Sequence, residues 1–267
     1  MQDVSNRKKT RIGAQMYTLR NYIKTPAEID TTFDRLNKMG YKYIQISAFG
    51  QIAPEELKGL MDKHNIIPIG YHITMDTLRN DFEKLVANLK LWDVKYCAVS
   101  YLAPQERPDA QAYKNVAKEM SSFGKKLFEE YGVHLQYHNH SFEFEKLDGK
   151  LALEIIYEES DPRYLQAELD TYWVARGGCN PVDWINRLVG RLDQIHFKDI
   201  TILNNGQDAL PAEIGEGNLN WTEIIKACKK AKVKDYLIEQ DECPITKDPF
   251  RSLEISLKNT KALLNIK

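Results

Sequence analysis

The sequence predicts an α/β protein with the (β/α)8 TIM-barrel fold. Eight extended segments rich in apolar, β-branched and aromatic residues alternate with helical patterns along the chain. The chain has 267 residues, the usual size of such a barrel, and no Pro/Gly/Ser-rich linker divides it. We therefore expect a single domain over residues 1–267, in which residues 1–10 form a disordered N-terminal extension.

The eight predicted strands follow one another in order, and each has a helical pattern behind it. They span residues 11–17, 41–48, 66–73, 94–101, 132–138, 164–170, 191–197 and 235–241. A parallel sheet whose strands are each followed by a crossover helix is either doubly wound or closed. Eight repeats in about 250 residues favour the closed barrel.

Caps and helix breakers mark the ends of the predicted helices. Thr25 and Glu28 form a capping box at the start of the first helix, and Gly40 ends it. Pro54 begins the second helix, and Asn220 caps a later one. Two longer helical patterns cover residues 110–131 and 248–264.

Composition and charge narrow the class of protein. Lysine plus arginine number 37 and aspartate plus glutamate 38, so the net charge is −1, without the basic excess typical of nucleic-acid binders. The apolar runs fall short of the ~20 residues that a membrane-spanning helix needs. The four cysteines lack CxxC spacing, which argues against a zinc ribbon or a redox dithiol.

The first residues, MQDVSNRKKTR, lack the apolar core of a signal peptide. We therefore expect a cytoplasmic protein, or a periplasmic one if a leader has been removed from the sequence.

Polar and titratable residues collect at the carboxyl ends of the predicted strands. In a barrel of this kind these ends meet at one face, where binding and catalysis take place. The residues are Gln15, Tyr17, His72, His138, His140, Asp170, His196, Lys198 and Glu239. A core built for stability alone has no need of them there, so we expect a functional site.

Three of these residues can supply one nitrogen and two carboxylates to a divalent cation: Asp170, His196 and Glu239. Such a mixed donor set suits Mn²⁺, Zn²⁺, Co²⁺ or iron, and Mg²⁺ less well. We therefore expect a metal centre at the mouth of the barrel.

A fourth ligand should come from the segment YHNHSFEF, residues 137–144. His138 and His140 share one side of the strand because successive side chains alternate in direction. The ligand could be His138 itself, or Glu143 if the chain after His140 turns back over the mouth.

Other residues near the strand ends are candidates for contact with substrate. Tyr17 and Trp173 could stack against a sugar face, and Arg176 and Lys198 could meet an anionic or carbonyl oxygen. Gln15 and His72 complete the predicted substrate contacts. The polar segment at residues 199–218 is far longer than an ordinary connection, so a loop here could close over the substrate.

Taken together, these segments resemble the xylose isomerase-like TIM-barrel superfamily, in its sugar phosphate isomerase/epimerase branch. The matching pieces, in order, are IGAQMYTLR, MGYKYIQIS, YHNHSFEF, AELDTYWVARGG, DQIHFKD, IGEGNLNW and YLIEQD. The resemblance implies a divalent metal held by strand-end Glu, Asp, His and Glu. Three of these positions are matched directly, by Asp170, His196 and Glu239.

The sequence departs from this pattern on the fifth predicted strand. Many relatives carry a Glu in an EN pair where this chain has His138 and Asn139. Either His138 replaces that carboxylate, or Glu143 does and the histidines transfer protons. We favour Glu143, because two free imidazoles beside a metal make good acid/base groups.

The function expected is that of a divalent-metal-dependent sugar isomerase/epimerase. The cation (Mn²⁺, Zn²⁺, Co²⁺ or Mg²⁺) polarises a sugar carbonyl and stabilises an enediolate, with Lys198 also in the catalytic site. His140 is the candidate base, and His138 or Glu239 returns the proton.

Two other functions stay open. The same enediolate could expel a neighbouring oxygen, which makes the protein a lyase or hydratase on 3-keto-sugars or 3-keto-glycosides. A non-catalytic carbohydrate-binding protein is a further alternative, and the charge disfavours an apurinic endonuclease. The partner expected is a small-molecule sugar or keto-sugar, not nucleic acid or a membrane, and a homo-oligomer is left open.

Overall fold

The computed structural model describes residues 10–266, and eight of its strands close into a parallel barrel. The extension expected at residues 1–10 lies outside the described residues except for Thr10. The strands are β1 (Arg11–Gln15), β2 (Tyr43–Ile46), β3 (Ile67–Ile73), β4 (Tyr96–Val99), β5 (His134–His138), β6 (Lys146–Leu147), β7 (Lys150–Leu151), β8 (Leu165–Asp170), β9 (Gln194–Phe197), β10 (Asp199–Leu203), β11 (Asp208–Ala212) and β12 (Asp235–Ile238).

Helices alternate with the barrel strands and cover the outside of the barrel. The α-helices are α1 (Pro26–Met39), α2 (Pro54–Lys63), α3 (Met75–Asn80), α4 (Phe82–Leu91), α5 (Ala110–Tyr131), α6 (Ala152–Glu159), α7 (Thr171–Arg176), α8 (Pro181–Arg187), α9 (Trp221–Ala231) and α10 (Pro249–Leu264). Short 3-10 helices span Met16–Tyr22, Pro104–Glu106, Phe142–Phe144 and Asn204–Gly206. No helix in the described part of the chain is both long and apolar enough to cross a membrane.

The ring of strands runs β1-β12-β9-β8-β5-β4-β3-β2. It closes because β1 pairs with β2 on one side and with β12 on the other, both in parallel register. The predicted (β/α)8 barrel is therefore confirmed. Several strands end earlier than predicted, because the chain turns into loops or 3-10 helices that carry the candidate site residues.

The predicted helix caps also form. The Thr25 hydroxyl accepts a hydrogen bond from the Glu28 amide at 3.3 Å, and the Glu28 carboxylate accepts one from the Thr25 amide at 2.9 Å. Gly40 ends α1 in the left-handed conformation, with φ of 93°. The Asn220 side chain caps α9 by accepting from the Glu223 amide at 3.2 Å.

The segment expected as a long loop at residues 199–218 instead begins with a β-hairpin. Strands β10 and β11 pair antiparallel across a turn at Asn204, Asn205 and Gly206, and all three turn residues have positive φ. Asn and Gly tolerate this conformation, and Asn-Gly is the sequence signal for a tight hairpin turn. The Asn-Asn-Gly run therefore carried the signal that the loop interpretation overlooked.

The interior of the barrel is unusually polar. Inward-facing residues of such barrels are mostly branched and aliphatic, yet Gln45, Gln136, Glu168 and Gln194 are fully buried here. Gln45 on β2 donates to Glu168 on β8, and these strands are not neighbours, so the two side chains meet across the barrel. Buried polar groups need partners, so the interior forms a hydrogen-bonded network beneath the strand ends.

Candidate metal centre and active site

Four side chains converge where four barrel strands end: His138 from β5, Asp170 from β8, His196 from β9 and Glu239 just after β12. One donor atom of each lies within 4.8 Å of the others. All four side chains are buried. The structure thus brings together the three predicted ligands Asp170, His196 and Glu239, and it adds His138.

The chemistry of this cluster fits a divalent cation. Two imidazoles and two carboxylates form a donor set that Zn²⁺, Mn²⁺ or Co²⁺ accepts. The carboxylate of Asp170 accepts from the Trp173 amide at 2.9 Å through Oδ1, while Oδ2 is buried without a hydrogen-bond partner. A buried carboxylate oxygen without a hydrogen bond is costly, and a cation between these four groups would satisfy it.

Glu143, expected as the fourth ligand, does not join the cluster. It lies on the 3-10 turn Phe142–Phe144, where its carboxylate accepts from the Tyr137 hydroxyl at 2.6 Å and from the His140 amide at 2.8 Å. Both oxygens are therefore engaged away from the cluster, and burial raises the pKa of Glu143 to about 7. The turn uses Glu143 to fix the backbone of His140, and the strand end presents His138 instead.

The predicted catalytic residue Lys198 is fully buried among carboxylates. Its ammonium lies 3.3 Å from Oε2 of Glu239 and 3.6 Å from Oδ2 of Asp170, and it also pairs with Asp241. Burial alone would lower the pKa of Lys198, but these three carboxylates outweigh it and raise the pKa. The ammonium is thus part of the charge balance of the cluster.

The histidines of the site are in contrasting electrostatic surroundings. Burial alone would lower the pKa of His196, but the carboxylates of Glu168 and Glu239 raise it to about 10. Burial, together with the neighbouring His196, lowers the pKa of His138 to about 4. Burial, His138 and Lys198 lower the pKa of His140 to about 2, so this imidazole is neutral.

Glu168 is a component of the site that the sequence analysis missed. Its Oε2 lies 2.6 Å from His72 Nε2, 3.2 Å from His196 Nε2 and 3.6 Å from His138 Nδ1. The signal was present, because Glu168 and Asp170 are two residues apart on one strand and so point to the same side. Together with the three histidines, Glu168 forms a second group that could hold a metal by distance alone.

A cavity of about 650 Å³ opens above the cluster. His138, His140 and Glu239 form part of its lining, and aromatic rings surround it. The His140 ring stacks on Phe142 at 5.3 Å and packs edge-on against Tyr101 at 5.4 Å between centroids. A concave pocket of this volume can enclose a small sugar.

The structure separates the predicted substrate contacts into two groups. Tyr17, His72 and Trp173 line the cavity. Gln15 is fully buried, donates to His72 and Gln45, and is not part of the cavity lining.

Arg176 is also displaced from the cavity. Its side chain is exposed, and its guanidinium donates to the carbonyl oxygen of Ala209 at 2.6 Å. Arg176 therefore holds the hairpin β10–β11, because its guanidinium is engaged by the backbone of β11.

The closed barrel and the four-donor cluster at its carboxyl-terminal face define an α/β barrel with a candidate metal centre. Residues 33–254 match the family described as xylose isomerase-like TIM barrel. The chain belongs to this family.

Curated relatives lie among sugar-modifying enzymes. The chain is 28% identical over 193 residues to an inosose dehydratase of Mesomycoplasma hyopneumoniae, a match that covers 64% of this chain. The chain spans 63% of the length of that relative.

Solved structures share the whole fold. A sugar phosphate isomerase/epimerase from Parabacteroides distasonis superposes with a TM-score of 0.78 at 22% identity, covering 98% of this chain and 96% of the other. A D-allulose 3-epimerase from Methylomonas sp., in complex with D-allulose, gives 0.70 at 14% identity, covering 96% and 97%. The IOLI protein with a bound zinc atom gives 0.66 at 15% identity, covering 96% and 98%.

Proposed function

We propose that this protein is a divalent-metal-dependent isomerase or epimerase that removes a proton next to the carbonyl of an uncharged keto-sugar. The observation that carries the proposal is the imidazole of His140 in the wall of a cavity whose lining also includes His138 and Glu239, two members of the buried four-donor cluster. A base beside a Lewis-acid site is the arrangement that enolisation of a ketone requires.

The cation would be held by His138, Asp170, His196 and Glu239. When bound there, it would polarise the substrate carbonyl and lower the energy of the enediolate. Two imidazole donors favour Zn²⁺, Mn²⁺ or Co²⁺ over Mg²⁺, which prefers oxygen ligands. The zinc-bound IOLI protein, which has the same fold, supports this choice of metals.

His140 is positioned to take the proton. The hydrogen bond from its backbone amide to Glu143 fixes its main chain, and Phe142 and Tyr101 pack against its ring. Its Nδ1 is buried without a partner. As the proton leaves the substrate, negative charge develops on the enediolate, and this charge stabilises the protonated imidazole beside it.

A second set of acid/base groups stands at another wall of the cavity. Glu239 and Asp241 follow β12, which two other strands separate from β5 and its His140. A proton removed at one side of the sugar can therefore be returned from a different direction. Return to the neighbouring carbon gives isomerisation, and return to the opposite face of the same carbon gives epimerisation.

The charges that line the cavity favour a substrate without phosphate. Glu239, Asp241 and Glu242 contribute carboxylates. The guanidinium of Arg20 is engaged by the carbonyl oxygens of Tyr17 at 3.0 Å and Asp241 at 2.7 Å. Among the described residues that line the cavity, three carboxylates outnumber the single guanidinium of Arg20, so a neutral keto-sugar is a better fit than a phosphate dianion.

A lyase or dehydratase is the second candidate, because the curated relatives carry the name inosose dehydratase. An enediolate with a hydroxyl or glycosidic oxygen on the next carbon can expel that oxygen. Both candidates therefore use the same base and the same cation, and they differ only in the fate of the enediolate.

Proton exchange in D2O tests the proposal. The protein, with and without Mn²⁺, is incubated with D-allulose, an inosose and a 3-keto-glucoside, and the products are followed by NMR. We expect metal-dependent deuterium uptake next to the carbonyl for at least one compound. An isomeric or epimeric product supports the first candidate, and an eliminated product supports the second.

The control variant is His134→Ala, which removes a histidine from the opposite end of β5 and should retain exchange. His140→Ala should lose it. Sugar binding by titration without any exchange in the metal-loaded protein would refute the enzymatic proposal and favour a binding protein.

A further inference from the structure

We infer that Glu168 is a positioning residue that keeps the proton of His196 on Nε2 and so directs Nδ1 at the proposed cation site. It does so by accepting hydrogen bonds from the imidazoles of His72 and His196, so it is an acceptor and not a ligand of a second metal. This inference rests on the proposed metal site, and nothing in the predicted ligand set accounts for Glu168.

The argument starts from a backbone amide, whose direction is unambiguous. The N–H of Tyr17 donates to the side chain of Gln15 at 3.0 Å, so that atom must be the carbonyl oxygen Oε1. The amide nitrogen of Gln15 then donates to Oε1 of Gln45 at 2.8 Å. Because this contact identifies Oε1 of Gln45, the other side-chain atom is the amide nitrogen Nε2. Nε2 donates to Oε1 of Glu168.

This order fixes the proton on His196. Its Nε2 faces two acceptors, Oε1 of Gln45 at 2.8 Å and Oε2 of Glu168 at 3.2 Å. A nitrogen between two acceptors must carry hydrogen. Nε2 is thereby occupied, so a bound cation would take the place of the proton on Nδ1, the atom that lies 3.0 Å from Glu239 within the metal cluster.

The same reasoning fixes His72. The second hydrogen of the Gln15 amide points at Nδ1 of His72, which lies 2.9 Å away and must accept it. Nε2 of His72 then carries hydrogen and donates to Oε2 of Glu168 at 2.6 Å. One carboxylate oxygen thus receives two imidazole N–H groups, and Nδ1 of His138 lies 3.6 Å from it.

These protons decide between the two groups that could hold a metal. A cation among His72, His138, Glu168 and His196 would need a lone pair on Nε2 of both His72 and His196. The network places a proton on each of these atoms. The group around Glu168 is therefore the hydrogen-bonded support of the four-donor cluster, as carboxylates behind metal-bound histidines generally are.

The test is Glu168→Gln, with Asp235→Asn as the matched control. Asp235 is also a fully buried carboxylate of the barrel, but it pairs with Arg11 and Gln194 and belongs to neither metal-binding group. In Glu168→Gln the new NH2 group must face at least one of the N–H groups that donate to the carboxylate in the wild-type protein, so at least one hydrogen bond is lost. We expect one Mn²⁺ or Zn²⁺ per wild-type chain in a chelator competition, about 10- to 100-fold weaker binding in Glu168→Gln, and wild-type affinity in Asp235→Asn.

Nitrogen-15 NMR of the imidazoles adds a measurement that needs no variant. The wild-type protein should show the Nε2–H tautomer for His72 and, with Zn²⁺ bound, Nε2–H for His196. An Nδ1–H tautomer at His72 would overturn the inference, even if Glu168→Gln fails to fold.

Two binding results would also overturn it: unchanged affinity in a folded Glu168→Gln, or two cations per wild-type chain with one lost in the variant. If the wild-type protein binds no divalent cation, the proposed function and this inference fall together. Unchanged affinity in Glu168→Gln leaves the proposed function intact.

Discussion

A single carboxylate oxygen of Glu239 faces two cationic groups, since its Oε2 lies 3.3 Å from the Lys198 ammonium and 3.0 Å from Nδ1 of His196. Lys198 also pairs with Asp170 and Asp241, although it is fully buried. Its ammonium therefore balances the negative charge of carboxylates whose charge a bound divalent cation would also balance.

We expect Lys198→Met to destabilise the metal-free protein more than the metal-loaded one. Removing one partner of a buried charged group typically costs ~3–5 kcal/mol, because the remaining charges are left unpaired. Urea unfolding in EDTA should show such a loss, and saturating Mn²⁺ should reduce it. Lys38→Met is the control, because Lys38 is exposed and its pair with Asp34 should contribute less than ~1 kcal/mol. Equal stability of wild type and Lys198→Met in EDTA would contradict the prediction.

His138→Ala should mainly weaken metal binding, whereas His140→Ala should mainly slow proton exchange in the substrate. His138 belongs to the four-donor cluster, so its loss should weaken Mn²⁺ binding by more than the ~10–100-fold typical of an outer-shell partner. His140→Ala should keep near-wild-type affinity but lower substrate proton exchange by ~10²–10⁴-fold.

Chelator competition and NMR exchange, measured on the same protein samples, separate the two effects. Loss of metal in Glu143→Gln together with retention in His138→Ala would reverse the choice of the fourth ligand.

The stability of the protein should depend on pH through Glu143. Burial raises the pKa of its carboxyl group from an ordinary value of 4.5 to about 7, so the native state binds this proton more tightly than the unfolded chain. The resulting stabilisation is fully present below pH 4.5 and is lost as the pH rises through about 7. It amounts to about 3 kcal/mol, at ~1.4 kcal/mol for each unit of pKa difference.

Glu143→Gln cannot titrate, so its stability relative to wild type should improve by up to about 3 kcal/mol between pH 4.5 and 7. Urea unfolding in EDTA across this range measures the difference. Glu130→Gln, at an exposed position of α5, should leave the wild-type pH dependence unchanged. Parallel pH profiles for wild type and Glu143→Gln would rule out this role of the carboxyl group.

Gly217→Ala should destabilise the segment that follows the hairpin β10–β11. A Cβ atom at residue 217 would lie 2.5 Å from Oδ1 of Asp199 and would collide with the carbonyl oxygen of Ile200. Asp199 accepts hydrogen bonds from the amides of Gly217 and Leu219 and from the Trp221 indole, so the collision disturbs all of them.

We expect a loss of ~1–3 kcal/mol and faster hydrogen exchange at these amides. Gly59→Ala is the matched control, since a Cβ on that glycine of α2 meets nothing within 4 Å. That variant should gain ~0.5–1 kcal/mol, because alanine is the better helix former. Similar effects of the two substitutions would show that Gly217 is not under steric constraint.

The sequence was sufficient for the barrel because its signals are local. The apolar, β-branched strand segments, the capping box at Thr25 and Glu28, and the left-handed Gly40 act within a few residues of chain. Parallel closure then follows from the repeat of strand and helix, and it brings strand-end residues such as Asp170 and Glu239 to one rim without further information.

The side chains that the structure places elsewhere than expected are those whose direction depends on distant contacts. Glu143 lies beyond the end of β5, where a 3-10 turn and the Tyr137 hydroxyl decide which way its carboxylate points. Gln15 ends a strand like the residues that line the cavity, but hydrogen bonds to Gln45 and His72 hold it outside the lining. No local pattern distinguishes a strand-end side chain that reaches the cavity from one that the interior network retains.

The sequence by itself thus determined the closed barrel and the rim at which Asp170, His196 and Glu239 gather, because strand periodicity and chain closure leave them no other place. Only the tertiary structure decided that His138 completes the group and that Glu168 supports it. The physical reason is that partners of a buried polar group come from strands remote in the chain, and their hydrogen bonds exist only once the barrel has closed.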